Sequence, residues 1–241
     1  MLDYEAFKKV FTSRLIKKLK SSIVPYPQKN DIEKVLKELY REIFISYAYH
    51  PSLCHEYLVF NKNNGVVRIS PIFNPKDSIL YYFCIKMIED EIAENRVEGT
   101  YGGWRIGNKI RFIEEKEEGL ILTDYVFNDS YNPFLWLENW RDFTKKAYIY
   151  SQNEDCKYIV KLDIANFYDS INIDLLEKKL YMVVHNKKRF YVELLLYFLR
   201  NWNKTLAAFS EKHVGLPQES NGDCSRLLAN FYLQDYDSFM K

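Results

Sequence analysis

The chain has 241 residues, 47% hydrophobic and 17% aromatic, with 34 basic and 33 acidic side chains for a net charge of +1. That length allows one large domain or two small ones with ample core. The near-neutral balance excludes the global basic field of many nucleic-acid binders. No apolar run approaches the roughly 20 residues that span a bilayer, so no membrane partner is expected.

Positive charge is concentrated at the start. Residues 1–20 carry Lys8, Lys9, Arg14, Lys17, Lys18 and Lys20 against Asp3 and Glu5, with Phe7, Val10, Phe11, Ile16 and Leu19 between them. This is the pattern of an amphipathic helix. It serves either to lie along a nucleic-acid backbone or simply to show its lysines to water. Pro25-Tyr26-Pro27 then breaks the chain. A second helix is predicted over 31–49, burying Ile32, Leu36, Leu39, Ile43 and Tyr47.

Lys62-Asn63-Asn64-Gly65-Val66-Val67-Arg68 follows, with Leu58-Val59-Phe60 before the turn and Val66, Val67 and Ile69 after it. Asn-Gly between apolar runs predicts a tight hairpin, with Lys62 and Arg68 flanking the turn. Asn74-Pro75 and Asp77 then predict a proline loop and a capped helix over 78–95, with Ile79, Phe83, Met87, Ile88 and Ile92 inward. Residues 102–127 read as a second hairpin around a charged turn at 114–119. Trp104 and Arg105, beside Gly102 and Gly103, are its candidates for nucleic-acid contact. A helix opens at Asn132-Pro133, and its Leu137, Trp140 and Phe143 stripe reads as core.

Tyr158-Ile159-Val160-Lys161-Leu162 is rich in β-branched and apolar residues, and a buried strand is predicted there, delivering Asp163 at its end. Phe167 and Tyr168 come next. Asp169 reads as structural, at the entry to a helix with several capping residues. A core helix is expected over 187–206. Gly215-Leu216-Pro217-Gln218 forms a tight turn, and an apolar stripe over 225–233 marks the last helix. The four cysteines lack metal-ligand spacing and are expected to stay reduced in a cytoplasmic setting. The four histidines form no cluster, and no repeat or linker is evident.

Taken together, Asp163-Ile164-Ala165-Asn166-Phe167-Tyr168-Asp169-Ser170-Ile171, Gly215-Leu216-Pro217-Gln218 and the Lys62-x-x-Gly65-x-x-Arg68 hairpin resemble, in order, three signatures of the reverse transcriptase family. The resemblance covers residues 57–241 in patches. It implies an α/β (α+β) fold with right-hand polymerase architecture: an N-terminal helical extension (1–50), fingers with a hairpin insertion (51–153) and a partial palm (154–241). It implies Asp163 as catalytic metal ligand, assisted by the carbonyl of Ile164, for Mg²⁺ or Mn²⁺. Lys62 and Arg68 would grip the triphosphate, Tyr168 would gate the sugar in favour of deoxynucleotides, and Gln218 would order the nucleotide.

The implied partners are deoxynucleotides with an RNA or DNA template and primer, or a self-primed product, and a homo-oligomer is compatible with the family. Glu219 replaces the family's usual glycine, and two extra residues separate Gln218 from Ser225. These departures are most like the bacterial antiphage, abortive-infection reverse transcriptases, with retron and group II intron enzymes as the second enzymatic alternative. No Tyr-x-Asp-Asp motif occurs in the sequence. The expectation is therefore the front part of a longer polymerase, with a non-catalytic nucleic-acid-binding or interaction module as the opposing reading.

Overall fold

The computed structural model describes residues 2–11, 31–52, 54, 56–61, 67–94, 96–103, 105–106, 109–115, 119–126, 135–203, 215–218 and 222–241. In chain order these form α1 (Tyr4–Lys9), α2 (Ile32–Phe44), β1 (Glu56–Asn61), β2 (Val67–Ile72), α3 (Pro75–Glu94), β3 (Lys109–Glu115), β4 (Gly119–Val126), α4 (Leu135–Ser151), α5 (Phe167–Ser170), α6 (Ile173–Val183), a 3₁₀ turn (Asn186–Lys188), α7 (Arg189–Asn201) and α8 (Asp223–Met240). The protein is mostly helical. Its described strands form two separate antiparallel hairpins, so the fold mixes helix and strand.

Helix α3 is the axis of the core because it is apolar on nearly every side. Ile79, Leu80, Tyr81, Phe83, Cys84, Ile85, Met87, Ile88 and Ile92 are all buried. A helix without a polar face must be surrounded, and α2, α6, α7 and α8 pack around it. The N-terminal helix docks on the same core. Phe7 is fully buried, with its ring 4.9 Å from Phe83 and 5.0 Å from Phe11. Lys8 pairs with Glu33 of α2 at 3.0 Å. The basic stretch beyond Phe11 lies outside the described residues.

Two charged side chains inside this core are matched to each other. Lys86 and Glu89, one helical turn apart on α3, form a buried ion pair. Glu89 also accepts the Ile106 N–H, and Arg105 donates to Asp90 at 2.6 Å. Burial lowers the Lys86 ammonium and raises the Glu89 carboxyl, while their mutual contact opposes both shifts. The pair and its neighbours pin the 105–106 loop to α3.

Several predicted details are corrected. Helix α2 ends at Phe44, and Tyr47 is exposed in a left-handed conformation (φ 51°) rather than buried on a helical face. Helix α3 begins at Pro75, where Asn74 Oδ1 accepts the Lys76 N–H at 3.0 Å. Asp77 therefore lies inside the first turn. It is buried and accepts from the Tyr49 hydroxyl at 2.7 Å and the Ser52 N–H at 2.9 Å. Trp140 and Phe143 on α4 are exposed rather than core; they pair with each other, and Phe143 with Tyr101.

The largest correction concerns the predicted buried strand. Residues 158–162 are neither strand nor helix, and Tyr158, Val160 and Leu162 are 89%, 76% and 79% exposed. High β-propensity makes a strand only where a neighbour supplies backbone hydrogen bonds and a packed face. No described strand pairs with this segment.

Candidate functional site

The segment after Asp163 turns sharply. Asp163 itself is exposed, as is Ile164. Three residues on, Asn166 adopts the left-handed region (φ 49°, ψ 40°), which asparagine tolerates better than most side chains. That turn starts the single-turn helix α5. Its Ser170 donates from both N–H (3.0 Å) and Oγ (2.9 Å) to the Asn166 carbonyl. Phe167 and Tyr168 are both partly buried against the core, their ring centroids 5.9 Å apart.

The Gly215–Gln218 turn sits directly on this helix. The Leu216 N–H donates to the Tyr168 carbonyl at 2.9 Å. A Cβ at position 215 would fall 2.2 Å from the Tyr168 oxygen and 2.6 Å from Asp169 Cα. Both neighbours are backbone, so neither can swing aside, and only glycine fits this approach. Trp202 Nε1 donates to the Gly215 carbonyl at 3.2 Å, and Leu216 is fully buried. Ser225 of α8 donates to the Pro217 carbonyl, which leaves its oxygen to accept from the Tyr81 hydroxyl at 2.9 Å. The turn is thus fastened to α3, α5, α7 and α8.

Gln218 joins three parts of the chain. Its Nε2 donates to Asp169 Oδ2 at 3.3 Å, and its carbonyl accepts from the buried Ser70 hydroxyl of β2. Arg68 stands two residues before Ser70 on β2, paired across the hairpin with Phe60. Tyr168, Gln218 and the β1–β2 hairpin therefore meet at one place. Lys62 and Trp104 lie outside the described residues. Arg105 is engaged with Asp90 of α3.

The residues that hold Gln218 were not singled out in the sequence. In the sequence Asp169 reads as structural, and nothing marks Ser70. The Ser70 contact is to a backbone carbonyl 148 positions away, and no sequence pattern marks such a bond. The Asp163 carboxylate and Ile164 carbonyl offer the hard oxygen donors that Mg²⁺ or Mn²⁺ prefers, and the exposure of Asp163 would suit an ion that keeps several waters. Among the described residues, no group of three or more His, Cys, Asp or Glu side chains is arranged to hold a metal. No protein-family model and no curated protein matches the chain.

Proposed function

We propose that this chain forms the fingers and the first part of the palm of a reverse transcriptase-type polymerase. The reading extends to RNA-directed, protein-primed or untemplated DNA synthesis in bacterial antiphage defence, in the cytoplasm, with Mg²⁺ or Mn²⁺. One observation carries it. The segments 163–171 and 215–218, paired by resemblance although some 50 residues apart, are in backbone contact, and the β1–β2 hairpin joins them through Ser70.

In this arrangement a primer hydroxyl oxygen would bond to the α-phosphorus of a deoxynucleoside triphosphate as the bond from that phosphorus to its oxygen bridging to the β-phosphate breaks; pyrophosphate leaves, and the hydroxyl proton passes to water. A bound divalent ion supplies charge neutralisation for the attacking and leaving oxygens. Asp163 would hold the ion, Tyr168 would lie under the sugar, and Lys62 and Arg68 would bind phosphate oxygens. The test is incorporation of labelled deoxynucleotide by the native polymerase. Asp163→Asn is expected to abolish incorporation without unfolding the protein, and Tyr168→Ala to admit ribonucleotides. Full activity of the Asp163 variant overturns the assignment.

A second reading, a non-catalytic nucleic-acid-binding or interaction module, is favoured by the exposed apolar side chains at 158–164. Such a cluster is a common mark of an interaction surface. Intact binding of partner or nucleic acid, with no incorporation under any metal, would select it.

A further inference from the structure

We infer that Asp169 is a positioning residue that fixes which edge of the Gln218 amide faces the bound nucleotide. The inference rests on the nucleotide-binding reading above and assigns a role to a side chain that the resemblance leaves without one.

A glutamine amide has two unlike edges, an NH₂ that only donates and an oxygen that only accepts, and rotation by 180° exchanges them at little cost. An ionised carboxylate only accepts. Gln218 must therefore turn its NH₂ toward Asp169, as the 3.3 Å contact from Nε2 to Oδ2 shows. Asp169 is itself held in place. Its backbone lies against Gly215, where a Cβ would come within 2.6 Å of both its Cα and its carbonyl oxygen. The Gln218 backbone is held by Ser70. Donor and acceptor are thus anchored by different elements, α5 and β2, and the amide between them keeps one orientation.

One N–H of the amide is then taken by Asp169, and Oε1, on the opposite edge, is the acceptor turned away from it. The triphosphate carries only acceptors at neutral pH, so this oxygen is matched to a donor group on the sugar or base. Gln218 then contributes to binding only when Asp169 holds its edge. The burial of both residues is partial, which leaves the amide within reach of a ligand.

The test is a calorimetric titration of the full chain with dATP and Mg²⁺, alongside the Gln218 side-chain amide resonances in ¹⁵N-labelled protein. Asp169→Ala is expected to shift those resonances, leave the melting temperature nearly unchanged, and weaken dATP by about fivefold or more, the scale of one hydrogen bond. Asp169→Glu, which restores a carboxylate acceptor, is expected to recover most of the affinity. Wild-type binding with affinity unaltered in Asp169→Ala, in a folded protein, overturns the positioning role alone. No dATP binding by the wild-type chain at millimolar nucleotide overturns the nucleotide reading, and the inference with it.

Discussion

Asp77 illustrates how far a single residue can depart from its sequence role. As a helix cap it would be solvated and ionised. Buried at the start of α3, its carboxyl is instead pushed up to about 6 from an ordinary 3.8, chiefly by desolvation, although the Tyr49 hydroxyl and Ser52 N–H both favour the anion. The folded state then binds this proton more tightly than the unfolded chain. Its contribution therefore favours folding below about pH 4 and is lost as pH rises through 6, a swing on the order of 3 kcal/mol. Urea unfolding of wild type and Asp77→Asn between pH 4 and 7 measures it. The wild type should lose stability relative to the variant as pH rises; parallel profiles would remove the assignment. At this same scale, motifs marked the two segments that carry Tyr168 and Gln218, and those segments are in backbone contact. The roles of Asp169 and Ser70 were not legible, because they depend on contacts that appear only after folding.

Among the elements, legibility followed the source of stability. The β1–β2 hairpin was readable because Asn-Gly between two apolar runs is a hairpin signal; the strands on either side pair antiparallel as expected, while Asn64 and Gly65 lie outside the described residues. The apolar stripe of α3 was readable too, although its start moved to Pro75 once Asn74 served as the cap. Nothing in the sequence announced that Lys86 and Glu89 would be a buried pair, since i, i+3 charges usually decorate a solvated face. Removing one partner of such a pair leaves an uncompensated charge in the core. Lys86→Met is expected to destabilise the chain by roughly 3–5 kcal/mol in denaturant unfolding. Lys86→Met with Glu89→Gln, which keeps an acceptor for the Ile106 N–H, should recover a large part. A single variant as stable as wild type would show the pair to be solvated.

At the level of the whole molecule, the described core gathers around α3, while an apolar stretch of chain stands outside it. No helix among the described residues is long and apolar enough to cross a membrane. The exposed hydrophobics at 140–164 belong to α4 and to the segment on either side of Asp163. Residues 158–162 read as a central strand because composition alone suggested one. A strand, however, is a property of two segments, and no described strand pairs with it. Amide hydrogen exchange tests this directly. In the isolated chain, residues 158–162 should exchange with little protection, while the interior of α3 exchanges only through large-scale opening. Strong protection at 158–162 would mean that the segment is paired after all.

Segments 163–171 and 215–218 are proposed to form one nucleotide site rather than a merely structural contact. The most direct measurement is a titration of the ¹⁵N-labelled chain with dATP and Mg²⁺, followed by backbone amide shifts. The expected result is saturable movement in both segments together, at Tyr168, Asp169, Leu216 and Gln218, weakened by Asp163→Asn. Absence of any shift at millimolar dATP, or shifts confined to scattered surface lysines, would contradict it.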